Sequence, residues 1–380
     1  RNGLSESQTQ NLLNSGRTYN YYEYENQVDN YSQHHAQLHW NRKLSSLWQL
    51  QLTGHYTRGK GYFEEYRYDD ALSNYLLDSV TVSSGDVFYE TDVIRRRWLD
   101  NHYGGLVGSL TRKSERLESV IGGAYSLYDG LHFGEVIDLP LVEDWQSAND
   151  AWRYYEGNST KTDGNVYWKN TALIGKYLSV FADVQLRNVV YRTAGVDNDL
   201  RAYDVDFSKL FFNPKAGFTV AMKQHKFYAS GAYAGKEPNR NDFVDAVDPT
   251  KVRSEYMMNG ECGYTFATAK FKAGINGYYM QYKDQLVVTG ALNDVGAPVR
   301  VNVPDSYRRG LELEVGALLP FGFFAEGNVT WSRNRIRAFD ELLYEYTDTS
   351  VSVLTNTIYD TPIAFSPGWI GAIQTGWRYE

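Results

Sequence analysis

Four of the chain's seven histidines, His34, His35, His39 and His55, crowd into its first sixth and invite a metal site. On an extended strand His35 and His39 share a face but stand about 13 Å apart. One ion cannot take both, since its imidazole ligands lie at about 2 Å. Only a cross-strand partner such as His55 can come closer, so these histidines, with Gln37, Gln49 and Gln51, are expected to line a polar interior and to bind no metal. The run Arg95, Arg96, Arg97 beside Trp98 has the forked donors that grip a carboxylate or phosphate, or that pair with nearby acids such as Glu64 and Glu65. Trp145, Trp152, Tyr154 and Tyr155 are suited to stacking on a sugar ring or a flat cofactor-like ligand, or to packing a small core of their own. Glu237, Arg240, Asp242 and Asp245 alternate in sign over a short stretch and are expected to anchor a loop through charge-assisted hydrogen bonds. No nucleophile or paired acid and base accompanies any of these groups, so no catalytic residue, no enzyme activity and no cofactor are expected.

The elements that must position these residues are strands. Apolar and polar residues alternate with period two, and helical stripes are almost absent. Over residues 48–57, Trp48, Leu50, Leu52, Gly54 and Tyr56 form one face, and Gln49, Gln51, Thr53, His55 and Thr57 the other. Leu178, Val180, Ala182, Val184 and Leu186 repeat the pattern, as do Leu311, Leu313, Val315 and Ala317. One face is always free of charge, as a lipid-facing strand requires: an Arg or Lys at the bilayer midplane costs about 2–4 kcal/mol.

Aromatics bracket that face at a fixed interval. Trp48 and Tyr56, Phe271 and Tyr279, and Phe323 and Trp331 each stand eight residues apart. That is about 26 Å of strand, or about 19 Å of height at a tilt near 45°, close to the apolar band between two aromatic girdles. The strands are expected near 31–42, 47–62, 99–112, 117–128, 164–174, 178–192, 212–222, 226–236, 254–266, 270–287, 305–318, 321–338 and 365–379. Their links alternate between short turns and long loops over 63–98, 129–163, 193–211, 237–253, 288–304 and 339–364. Long loops on one rim mark the outside of the cell. The fold class is therefore all-β, a transmembrane antiparallel up-and-down β-barrel of about thirteen strands. An odd, unclosed set leaves backbone groups that lipid cannot satisfy, so further strands are expected beyond it.

Whole-chain properties agree. Mean hydropathy is −0.51 and no apolar run reaches the length of a transmembrane helix, as expected where lipid-facing and lumen-facing residues alternate. A net charge of −8 argues against nucleic acid as a partner. The single cysteine, Cys262, excludes an intramolecular disulfide framework and is expected in a strand as a small apolar residue. The acid-rich loops, with Glu135, Asp138, Glu143 and Glu156 against only Arg153 and Lys161 over 129–163, weigh against a strongly anionic ligand.

An ordered series of segments resembles the barrel of TonB-dependent receptors, especially those of the Bacteroidetes group. It runs from DNYSQHHAQLHW (29–40) through FFNPKAGF (211–218), KEPNRNDFVDA (236–246), SYRRGLELE (306–314) and GNVTWSRNRI (327–336) to IAFSPGWI (363–370). The family usually has Arg where Lys236 precedes Glu237 and Pro238, a mild departure. The resemblance covers nearly the whole chain. It implies that residues 1–380 are part of a 22-stranded barrel whose plug domain and closing strands are not in this stretch. It also implies an outer-membrane location and energy-coupled import of a scarce ligand: ferric siderophore, haem, cobalamin or oligosaccharide. The implied partners are a TonB-type periplasmic energy-transducing complex, outer-membrane lipid and the small-molecule or oligosaccharide ligand. A passive channel, or a soluble glycan-binding β protein, is the alternative.

Overall fold

The structure is a computed structural model that describes residues 5–18, 24–143, 145, 152–246, 248–292, 298–346 and 351–377. Fourteen strands form one antiparallel sheet that curves into a partly closed barrel. They are β1 (Asp29–Lys43), β2 (Trp48–Ala71), β5 (Glu90–Lys113), β6 (Leu117–Asp138), β7 (Trp152–Ile174), β8 (Leu178–Val196) and β9 (Ala202–Met222). The series continues with β10 (His225–Lys236), β11 (Glu255–Ala267), β12 (Phe271–Leu292), β13 (Pro298–Leu318), β14 (Phe323–Tyr346), β15 (Val351–Pro362) and β16 (Trp369–Trp377). A small hairpin, β3 (Val80–Thr81) and β4 (Val87–Phe88), lies between β2 and β5. Short helices include α1 (Glu6–Ser15), opened by a Ser5/Gln8 capping box, and α2 (Arg240–Val244) after β10.

Each barrel strand pairs with its neighbour in sequence until β14, which pairs with two. Its outer half, Arg335–Tyr346, meets β15, and its inner half, Phe323–Trp331, meets β16 on the same side. β15 and β16 are thus one stave broken at 363–368, where Pro367 has no N–H to donate and Phe365 has φ 55°. The break is tied back to β14 by Ser332 N–H donating to the Gly368 carbonyl and Ile363 N–H donating to that of Asn334. The expected thirteen strands correspond to thirteen staves.

Period-two alternation maps onto two faces. Trp40, Leu52, Leu106, Tyr125 and Val166 share the outward face, and Gln37, Gln51, Thr53 and His55 the inward one, as the registers of β1, β2, β5, β6 and β7 require. Aromatic brackets fall into level rings across strands. Trp331 lies 6.5 Å from Trp369, and Phe323 lies 6.3 Å from Trp377, centroid to centroid. Trp369 and Trp377 repeat the eight-residue interval on the last stave. Cys262 is in β11, exposed on the outward face opposite Gly277.

The strands run well past the outer ring of aromatics, which corrects the expected loops. β2, β5, β6 and β7 run about nine to twelve residues past their expected outer ends, so the link expected over 63–98 shrinks to 72–89, and the outward extension of β8 and β9 shrinks that over 193–211 to 197–201. Much of the link expected over 339–364 is the end of β14 and all of β15. Once the chain leaves lipid, water solvates both faces, so charged residues enter the alternation without ending the ladder. The same extension places Arg95, Arg96, Arg97 and Trp98 in β5, and Trp152, Tyr154 and Tyr155 in β7, where loops were expected.

Candidate functional site at the outer mouth

Alternation along β5 splits the arginine run. Arg95 and Arg97 face inward and Arg96 outward, because their partners across the ladder are Glu65, Phe63 and Glu64. Arg95 is buried; it pairs with Glu65, and its Nη1 donates to Asn198 Oδ1 at 3.3 Å. Arg96 Nε donates to Glu64 Oε2 at 2.5 Å, and its guanidinium lies 4.3 Å from the Tyr62 ring centre. Glu64 also accepts from Tyr24 and Asn26. Burial works to raise its pKa, and the bonds from Tyr24, Asn26 and Arg96 override it, holding the carboxyl below its ordinary range. Arg95 and Arg96 are therefore taken up by neighbouring acids. Arg97 lies over the rings of Phe63 (5.3 Å) and Tyr155 (5.9 Å), and its Nε donates to Tyr155 Oη at 3.3 Å. Trp98 packs between Tyr62 and Phe133, with centroids at 4.5 and 5.8 Å.

The aromatic group lies mostly in a core inside the strand extensions. Trp145, Tyr154 and Tyr155 are buried with Leu72, Tyr75, Val93, Val136 and Leu139, and Trp152 packs against them. Trp152 Nε1 donates to the Tyr75 carbonyl, closing the 72–89 link onto β7. Tyr155 alone of the four also borders a cavity of about 290 Å³.

That cavity brings together residues from five separate segments. Phe63 and Arg97 come from the first long hairpin, His132 from β6, and Tyr155 from β7. Asp197, Asp199 and Arg201 come from the β8–β9 link, and Arg240 and Asp245 from the stretch around α2. Arg201 is held by Asp197 at 2.8 Å and by Asp199 at 3.6 Å. Arg240 Nη2 donates to Tyr203 Oη at 2.9 Å, while its Nε is buried with no hydrogen-bond partner among the described residues. His132 is held neutral: burial first, then the charges of Arg240 and Arg97, push its pKa down to about 4. The lining thus offers three guanidinium groups, three carboxylates, a neutral imidazole and three aromatic residues, Phe63, Trp98 and Tyr155. Such a mixture suits a polar ligand recognised by hydrogen bonds and ring contacts more than one held by net charge.

The stretch from Glu237 to Asp245 is fastened to the inner wall. Glu237 accepts from Lys161 Nζ at 2.6 Å and from both terminal nitrogens of Arg187 at 2.8 Å. Burial works to raise the Glu237 pKa; the hydrogen bonds from Arg187 and Lys161 outweigh it and hold the carboxyl below its ordinary range. Asp242 closes a capping box with Asn239 at the start of α2 and lies 3.4 Å from Arg300 Nη1. Asp245 caps the other end, its N–H donating to the Asn241 carbonyl.

The six inward residues near the chain start stand lower, on the inner wall of β1 and β2. Gln37 lies opposite His55, while His35 and His39 contact Thr57 and Thr53 at 3.0 and 3.1 Å; Gln49 and Gln51 pair with Lys43 and Asn41. Among the described residues no group of three His, Cys, Asp or Glu side chains is placed to hold a metal ion. His132 and the Asp197–Arg201 turn were not anticipated. His132 occupies an inward position of β6 that was assigned to a loop, and the turn residues meet the cavity only through the register of β8 and β9.

The same architecture occurs in known receptors. The siderophore receptor PiuA from Acinetobacter baumannii superposes with a TM-score of 0.62 at 12% identity, over 91% of this chain and 52% of its own. The copper transporter OprC gives 0.61 at 11% identity, over 80% and 47%, and the unliganded ferric citrate transporter FecA gives 0.60 at 13%, over 91% and 46%. At these identities the likeness shows the fold, and the chain spans about half the length of each structure. No curated protein matches the chain. The sequence profile of the TonB dependent receptor-like β-barrel matches residues 1–380. The chain belongs to that family, whose barrel fold implies an outer-membrane location.

Proposed function

We propose that this chain forms the wall and outer mouth of an outer-membrane receptor that imports a scarce ligand by energy coupling. The supporting observation is the cavity at the outer mouth, where Arg97, His132, Tyr155 and Arg240 converge from distant segments above the membrane-spanning strands. Membership in a receptor family points to transport rather than catalysis. The ligand classes that fit a mixed polar and aromatic lining are ferric siderophore, haem, cobalamin and oligosaccharide. In the whole protein, occupancy of this mouth is signalled to a TonB-type periplasmic complex that drives release inward, and nucleic acid has no part in it.

The test is uptake by cells expressing the whole protein, with each ligand class supplied in turn. Uptake of one class is expected, saturable at low concentration and abolished when the proton gradient is collapsed. Arg97→Ala combined with Arg240→Ala is expected to weaken binding at least tenfold while the barrel still assembles. Uptake that persists without the gradient would support a passive channel and overturn the coupled reading.

A further inference from the structure

Chain-wide charge is −8, yet one outward patch is strongly basic. On β13 and β14, Arg309 and Arg333 are direct cross-strand partners, and Arg335 lies opposite Tyr307 one step farther out. Like charges directly opposed on a ladder destabilise it. Arg337 continues the same face, 3.0 Å from Asp305, and Arg333 lies 2.6 Å from Asp360. Arg335 donates to a carbonyl, that of Asp360, and Arg309 faces the Tyr307 ring at 5.6 Å. Among the described residues, no carboxylate lies within 4.0 Å of the Arg309 or Arg335 guanidinium. Four arginines thus share two acids.

The height of the patch identifies its surroundings. Its residues share the outward face with Leu311, Leu313 and Val329, so they do not face the interior where a transported ligand passes. Arg309 and Arg333 stand level with Tyr279 and two residues outward of Trp331 and Trp369, and Arg335 stands two residues farther out, on the rim that carries the long links. Aromatic girdles sit at the boundary of hydrocarbon and headgroup. The arginines therefore lie among the headgroups of the outer leaflet.

We propose that Arg309, Arg333 and Arg335 form a binding site for the phosphate of an outer-leaflet lipid headgroup. Guanidinium forks match phosphate oxygens in pairs. A phosphate between Arg309 and Arg333 would turn an opposed like-charge pair into a bridge, with Tyr307 and Tyr279 stacked beside it (ring centroids 6.3 Å).

The experiment places the intact receptor in phosphatidylcholine nanodiscs doped with diphosphorylated lipid A or with its dephosphorylated form. Retained glycolipid is counted by native mass spectrometry. Each cation near an anionic headgroup is worth about fivefold in affinity, so three together give about a hundredfold. The phosphorylated form is expected to bind about a hundredfold more tightly. Arg309→Gln, Arg333→Gln and Arg335→Gln together should erase the preference, while the corresponding Lys variant should keep most of it. Equal retention of the two lipids, or an unchanged preference in the Gln variant, overturns the proposal. Displacement of the lipid by millimolar inorganic phosphate would mean a free-phosphate site and overturn the headgroup assignment. Should the Gln variant fail to assemble, the comparison of the two lipids on the unaltered receptor still decides.

Discussion

His132, which lines the cavity, and Glu237, which anchors the stretch around α2, both make the outer mouth sensitive to acid. The His132 pKa of about 4 lies below its ordinary value, so the unfolded chain binds the proton more readily than the folded one. The resulting stability is complete above about pH 6.5 and is lost as pH falls toward 4. His132→Asn is therefore expected to flatten the pH dependence of thermal unfolding between 6.5 and 4 and to change little at pH 7. Glu237 is also depressed, so its contribution is present above pH 4.5 and is lost only below that. Glu237→Gln should behave differently from His132→Asn, because it already leaves Lys161 and Arg187 without their shared carboxylate at pH 7. A loss of about 2 kcal/mol is expected there, read as faster hydrogen exchange in β10 and α2; unchanged exchange would show that the anchor contributes nothing. Glu237 was visible in the sequence as part of a charged stretch. Its partners were not, since Lys161 and Arg187 are 76 and 50 residues away and meet it only through strand register.

Strand faces were the most legible feature, because a period of two survives small errors in any boundary. Leu313 pairs with Ile275, midway between Phe271 and Tyr279, and so stands at the centre of the apolar band. Its neighbour Glu314 faces inward, 2.8 Å from Lys272. Leu313→Arg is expected to cost about 2–4 kcal/mol in refolding into vesicles, and Glu314→Arg far less, since it faces the polar side. Comparable losses for the two would mean that the faces are misassigned. Strand ends were less legible for a related reason. Residues 90–98 carry five charges spread over both faces, which looks like a loop until β2 and β6 supply the backbone partners on either side. Faces also cease to follow simple parity where a residue takes a left-handed conformation. Asp284 has φ 53°, and beyond it Gln285 and Val303 turn inward, where Gln285 accepts from Ser306 and Val303 joins Val287, Ile336 and Ile363 in a buried cluster. No local pattern in β12 announces that reversal.

At the scale of the whole molecule the chemistry is divided by surface: a charge-free belt outside, a polar wall inside, arginines at the outer edge of the girdle and a mixed cavity at the mouth. Cys262 reports on that division without any substitution. It is exposed on β11, faces outward opposite Gly277, and has Gly277 opposite Leu311 in turn, which places it within the apolar belt. In a soluble protein an exposed thiol at this position would react readily with charged reagents in water. In a barrel wall it is shielded by hydrocarbon, where a charged reagent does not dissolve. The expected result for the protein in its native membrane is no reaction with a membrane-impermeant charged maleimide, and full reaction after denaturation. A small apolar fluorophore attached there should be quenched by lipids brominated near the chain centre and not by aqueous iodide. The reverse pattern would contradict the outward assignment of β11 and, with it, the height at which the arginine patch and the outer mouth have been placed.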